Sequence, residues 1–232
     1  MDKFDLRDSG FLNPVRNQKK GRCCFAFPPY AAVEYLYHKE RGVNPRIQFS
    51  PQDIWDNLVK NEKQNQDGMT LTDAYNWMRN HGCVREESWP YRGVYGPPPQ
   101  NREVVCKIIR CKWLPFRKMK EHLRDEGPIA VEVKWIKEMG DYKGDGIYNG
   151  PADANAFVKT VNNHVGDHAL LVIGFGSERI EGELVHYWIV QNSHGEGWGK
   201  EGYAKFNIDI MCGTDKRLID GGFAPHKIKQ GG

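Results

Sequence analysis

No stretch of the chain approaches the roughly 20 consecutive apolar residues that a membrane-spanning helix requires. The opening run, Met1 to Arg7, carries charge where a secretory leader would be apolar. That leaves open whether a leader and a pro-segment precede it. A field of one sign is also missing. The 33 basic residues are nearly matched by 30 acidic ones, for a net charge of +3, and both are spread along the sequence. Nucleic acid and anionic membranes need a concentrated basic surface, so neither is an expected partner. Six cysteines are too few for a disulfide-dense mini-domain, and none forms the paired Cys-x-x-Cys knuckles of a zinc ribbon. Cys106 and Cys111 could pair with each other or with Cys83. Gly174-Phe175-Gly176 lacks the third glycine and the following helix of a nucleotide loop. His164 and His168 have a metal-like spacing, but the turn-like Val165-Gly166 between them breaks any helix that would align them. No metal and no cofactor are expected. Internal repeats and low-complexity runs are absent.

What remains is a chain of 232 residues, 39% of them hydrophobic, long enough to bury a core without obligatory staples. Tyr30 to Arg41 has helical composition and Gly42 stands as its stop. Ser50-Pro51-Gln52-Asp53 reads as a helix start, with a hydroxyl N-cap and proline at the first helical position. Thr72 to His81 and Phe116 to Arg124 are two further helices, ended by Gly82 and Gly127. The run from Trp89 to Gln100 is rich in proline, glycine and aromatics, and marks a long ordered loop at the crossing between halves. Beyond it the period changes: Ile129, Val131, Val133 and Trp135 alternate with small or charged residues, as in a half-buried strand. Ala169–Phe175, His186–Val190 and Tyr203–Phe206 continue the strand-rich half. The order predicts an α+β protein whose functional groups face one another across a cleft.

Cys24 stands just before the first helix. A cysteine nucleophile needs a helix N-terminus or an imidazolium to hold it as thiolate, and that imidazole in turn needs an orienting partner. Gln18, followed six residues later by Cys24-Phe25-Ala26-Phe27, together with Gly166-Asp167-His168-Ala169 and Gln191-Asn192-Ser193-His194-Gly195-Glu196-Gly197-Trp198-Gly199, resembles the active-site stretches of papain-like cysteine proteases. Phe4-Asp5-Leu6-Arg7, Trp89-Pro90-Tyr91 and Gly146-Ile147-Tyr148 also look like landmarks of that family, so the resemblance covers nearly the whole chain.

The resemblance implies a two-lobe fold: a helical lobe over about residues 10–112, a β-barrel-like lobe over about 113–215, and termini that cross between them. Residues 1–232 would form one catalytic domain. It implies peptide-bond hydrolysis through a Cys24 acyl-enzyme, with His168 as acid and base, Asn192 as orienter, and Gln18 with the Cys24 N–H at the oxyanion. Gly68, Met69, Glu132, Asp167, Ala169 and Trp198 would line the substrate cleft, with Arg217 at the pocket floor. A peptide or protein substrate, a pro-segment or protein inhibitor as further partner, and a monomeric state are expected. The family's compartments are lysosomal, vacuolar or extracellular.

The pattern also departs from the family. Pro28 and Pro29 lie where the first helix should run, which predicts a ragged first turn and a weakened thiolate. His194 replaces a tryptophan that covers the asparagine–histidine bond, which predicts a more exposed His168 and a second ring that titrates beside it. Gly21, Asn57 and Gln66 stand where cysteines are usual, and Gly150 to Gly166 has none to meet Cys212, so the family's bridges cannot form. That keeps a cytosolic location open. In the segment Gln66-Asp67-Gly68-Met69, Met69 narrows the cleft. Glu132 would favour a basic substrate side chain if it faces the pocket, and is otherwise a solvated strand residue. The long segment 151–168 would restrict the leaving-group side. Three functions follow: a cysteine endopeptidase, a small-substrate amidase or acyl transferase, and a non-catalytic binding or storage protein.

Overall fold

In the computed structural model, residues 1–2, 62–63, 66–67, 99, 152, 154–155, 159–165, 213–214 and 232 are not described; all others are. Gln66, Asp67, His164 and most of the 151–165 segment therefore lie outside the described residues. Four helices, α1 (Phe27–Arg41), α2 (Pro51–Leu58), α3 (Leu71–Asn80) and α4 (Phe116–Asp125), accompany nine strands among the described residues. The strands are β1 (Phe4–Asp5), β2 (Cys83–Val84), β3 (Val104–Pro115), β4 (Ile129–Lys134), β5 (Ile147–Tyr148), β6 (Asp167–Ile180), β7 (Glu183–Gln191), β8 (Tyr203–Asn207) and β9 (Gly221–Gln230). The fold is α+β, with helices early and strands late.

Local chemistry accounts for the helix starts. Ser50 accepts a hydrogen bond from Asp53 N at the head of α2, with Pro51 just inside. Thr70 and Asp73 form a reciprocal capping box on α3. α1 differs. It begins at Phe27, three residues before the expected Tyr30, and no side chain caps it. Pro28 and Pro29 occupy its first turn, where backbone N–H groups have no intrahelical partner, so neither proline breaks the helix. They do remove two donors from its N-terminus.

The strands join in the order β2-β3-β9-β4-β6-β7-β8-β5, with β1 beside β6. The sequence carries no clear strand signal over 104–115. β3 runs there and pairs along its length with the C-terminal β9. The expected lobe boundary at 112/113 falls inside β3, because two-sided partial burial gave this strand no clean alternation to read. The core divides in two. One cluster gathers Trp188, Phe175, Leu170 and Val172 from the strands, and the other packs Trp55, Tyr30, Phe49, Tyr75 and Met78 among α1, α2 and α3.

Candidate active site

Strand register brings the distant motifs together. β6 and β7 pair antiparallel with Leu171 opposite Gln191, so the start of β6, carrying His168, meets the end of β7, from which Asn192 follows. His168 Nε2 lies 2.8 Å from Asn192 Oδ1. The same oxygen accepts from the Ser193 backbone N–H at 2.8 Å. A backbone amide can only donate, so the amide oxygen faces the ring, and Nε2 must carry the proton. The neutral imidazole then presents Nδ1 as its basic nitrogen. Asn192 Nδ2 is buried without a hydrogen-bond partner.

A second segment is clipped to the first. Gln18 N donates to Ser193 O at 2.7 Å and Gly195 N donates to Arg16 O at 3.0 Å. Gly195 sits at φ 78°, and a Cβ there would meet Asn17 Nδ2 at 2.7 Å, so only glycine fits this approach. Arg16 is held in turn by an ion pair with Glu34, buried in α1. The Gln18 side chain is fixed at both ends: Oε1 accepts from Ser193 Oγ at 2.5 Å, and Nε2 donates to Gly21 O at 2.8 Å. One Nε2 hydrogen remains for another acceptor.

Tyr91 braces this loop. Its hydroxyl donates to Gln18 O at 2.7 Å and lies 3.0 Å from Cys23 Sγ. A Cβ on Gly21 would come within 2.1 Å of that hydroxyl, so the position that lacks the expected cysteine is occupied by a tyrosine contact instead. The sequence showed Tyr91 as a landmark but gave it no role. The brace is visible only once the 89–100 loop folds back.

Cys24 is partly buried, in the turn that precedes α1. Burial pushes its thiol up from the ordinary value, and the Glu132 charge adds to this; the backbone N–H groups of Ala169 and Phe25 act the other way. The sulfur is thus set beside the amide of the residue that follows His168. The His168 ring is held well below its usual value, at about 3, by burial, with nearby His194 in the same sense and the Asn192 bond opposing. Burial thus acts against charge on either group.

The expected exposure of His168 is not found. His168 is 6% exposed and Asn192 3%. Trp135, at the end of β4, lies with its ring centroid 4.2 Å from that of His168, and His194 lies 5.0 Å away. The covering aromatic comes from a different strand. In the sequence Trp135 is one position of an alternating strand and carries no signal of a place in the site.

The other cleft residues divide. Glu132 pairs opposite Ala169 on β6, and its carboxylate accepts from Leu71 N at 2.9 Å, at the head of α3. It is the exposed residue of β4, as a solvated strand position would be, and its carboxylate also bridges to that helix. Met69 packs against the helical cluster and Gly68 adopts φ 78°. Asp167 is exposed and pairs with Lys134 at 2.7 Å. Trp198 is 2% exposed and donates to Met139 O, which makes it a core residue with no face for substrate. Arg217 stacks over Phe116 at 4.4 Å and pairs with Asp209, which holds it against α4 and not at a pocket floor. Cys106 and Cys111 lie on opposite faces of β3, which rules out their pairing.

The chain is similar to known proteins along most of its length. The family described as papain family cysteine protease matches residues 1–220. Cathepsin 7 of Mus musculus is 33% identical over 211 residues, covering 87% of this chain and 59% of that protein. Cathepsin K of Mus musculus is 29% identical, covering 91% and 62%. The chain thus spans about three-fifths of the length of these relatives. The structure of the bromelain protease of Ananas comosus, in complex with the E64 inhibitor, superposes with a TM-score of 0.76 and 26% identity, over 97% of this chain and 98% of the other.

Proposed function

The chain belongs to the papain family of cysteine proteases, and from that premise we propose that residues 1–232 are a single catalytic domain acting as a cysteine endopeptidase. Cys24 attacks the scissile carbonyl carbon. His168 takes the thiol proton on Nδ1 and then delivers it to the leaving amine, while Asn192 holds the ring through Nε2. The free Gln18 Nε2 hydrogen and the Cys24 backbone N–H stabilise the oxyanion. Water then hydrolyses the thioester, with His168 as its base.

The observation that carries this reading is the 2.8 Å His168–Asn192 bond, whose donor sense leaves Nδ1 free to accept a proton. Because burial favours the uncharged pair, proton transfer accompanies attack and is not completed beforehand. Glu132, felt electrostatically at Cys24, marks the cleft wall where a basic substrate side chain is favoured.

Digestion of a proteome-derived peptide mixture at several pH values, by this protein and by Cys24→Ala, tests the proposal. Cleavage is expected only with Cys24. Folded protein that leaves every peptide intact overturns it.

A further inference from the structure

The proposed chemistry uses one of six thiols, and two of the others face each other. Cys83, on the short strand β2, stands directly opposite Cys106 on β3 in an antiparallel pairing. The pair is sealed from solvent, at 0% and 1% exposure. Both belong to the same buried core cluster. Directly opposed residues of an antiparallel pair have Cα atoms about 4.5–5.5 Å apart. Disulfides span Cα separations of about 4.4–6.8 Å, a range that includes such opposed pairs, and the ladder shifts register just after Cys83.

The remaining thiols lie elsewhere. Cys23 contacts the Tyr91 hydroxyl at 3.0 Å. Cys111 pairs in register with Pro225 of β9 and points to the other face of β3 from Cys106. The Cys212 backbone bonds to Lys216, beyond β8.

We propose that Cys83 and Cys106 form a cross-strand disulfide, a covalent link that stands in for the bridges this chain cannot make. The oxidant is a low-molecular-weight disulfide such as oxidised glutathione. One cysteine thiolate attacks it, breaking its S–S bond and releasing one small thiol, to leave a mixed disulfide. The second cysteine thiolate then displaces the other small thiol and forms the Cys83–Cys106 bond. Two protein thiols lose two protons and two electrons, and the small disulfide takes them up as two thiols. Because both sulfurs are buried once β2 has docked on β3, the exchange takes place during folding, while the segment is open.

The bridge would close the segment between 83 and 106, which carries Trp89 and Tyr91. Tyr91 braces the Gln18 loop, so the link anchors the support of the cleft from behind. This inference is independent of the peptidase reading, since it concerns thiols outside the site.

Protein refolded through a buffer of reduced and oxidised glutathione is alkylated in denaturant and mapped without reduction. The expected result is a Cys83–Cys106 peptide pair, two hydrogens lighter than the two free peptides, with Cys111 and Cys212 alkylated. The Cys111→Ser/Cys212→Ser double variant should keep the link, and the oxidised form should unfold at a higher temperature than the reduced form. If refolding from the fully unfolded state aggregates, protein folded under reducing conditions and cycled through urea with oxidised glutathione gives the same readout. Folded protein in which Cys83 and Cys106 are both alkylated, or in which Cys106 is joined to another partner, overturns the proposal.

Discussion

Trp135 packs on His168 with ring centroids 4.2 Å apart, and so covers from β4 the imidazole that Asn192 orients from the end of β7. The shield of the histidine therefore comes from two directions, Trp135 after β4 and His194 from the segment that holds the ring. Trp135→Ala should admit water, raise the His168 pKa towards its ordinary value, and shift the acid limb of the kcat/KM profile upward. A ring displaced by an ångström costs up to about 10²-fold in rate. Trp135→Phe should recover most of it, and a pH profile that Trp135→Ala leaves unchanged would contradict this role.

Removal of the base should be more severe. His168→Ala is expected to lower kcat/KM by about 10²- to 10⁴-fold. Asn192→Ala should lower kcat more than it raises KM, because the ring loses its orientation and not its substrate contacts. Steady-state kinetics on a peptide identified by the digestion would show the split.

Thiol reactivity follows from the neutral pair. Burial pushes Cys24 up and His168 down to about 3, so thiolate should be scarce in mild acid. Alkylation of Cys24 by iodoacetamide, followed by mass spectrometry, should climb through the alkaline range. A fast plateau at mildly acidic pH would instead reveal a preformed ion pair.

Stability should fall with acid for the same reason. The folded state binds the His168 proton more weakly than the unfolded chain does, and His122, lowered by burial to about 4, acts in the same sense. Their contribution is present above the unfolded histidine value of about 6.5 and is lost as pH drops towards the folded values. Between about pH 7 and about pH 5, His168 should account for about 2 kcal/mol. Urea unfolding at the two pH values, with and without His168→Ala, measures it.

Glu132→Gln would remove the charge felt at Cys24 and weaken the bridge to Leu71 N. The thiol pKa should fall, and any preference for basic side chains should shrink by about tenfold, on the order of 1.4 kcal/mol. A panel of peptide substrates that differ at one position reads this preference.

Loss of the brace at the Gln18 loop is a test of support rather than chemistry. Tyr91→Phe keeps the ring packed but deletes the hydroxyl that bonds to Gln18 O and touches Cys23. It should cost about 0.5–1.5 kcal/mol in stability, together with a drop in kcat larger than the change in KM. Thermal unfolding alongside kinetics separates the two effects.

Much of this was legible in the one-dimensional pattern. Ser50-Pro51 announces a helix start, because caps act through residues at most three positions apart; the Thr70–Asp73 capping box starts α3 at Leu71, one residue before the expected Thr72. Alternation in β4 and the order of the Gln18, Cys24, His168 and Asn192 stretches carry the fold class and the candidate site, since period and motif spacing are local. What register and packing decide was not legible. β3 joins β9 over more than 100 positions of sequence, Trp135 reaches His168 because β4 lies beside β6, and Tyr91 fills the place of an absent cysteine by the return of a loop. The charge state of Cys24 and His168 likewise depends on burial, a property of the assembled cleft. The chain's residue types named the groups available for chemistry, and only the tertiary structure, by setting which side chains shut out water from them, determined their electrostatics and their supports.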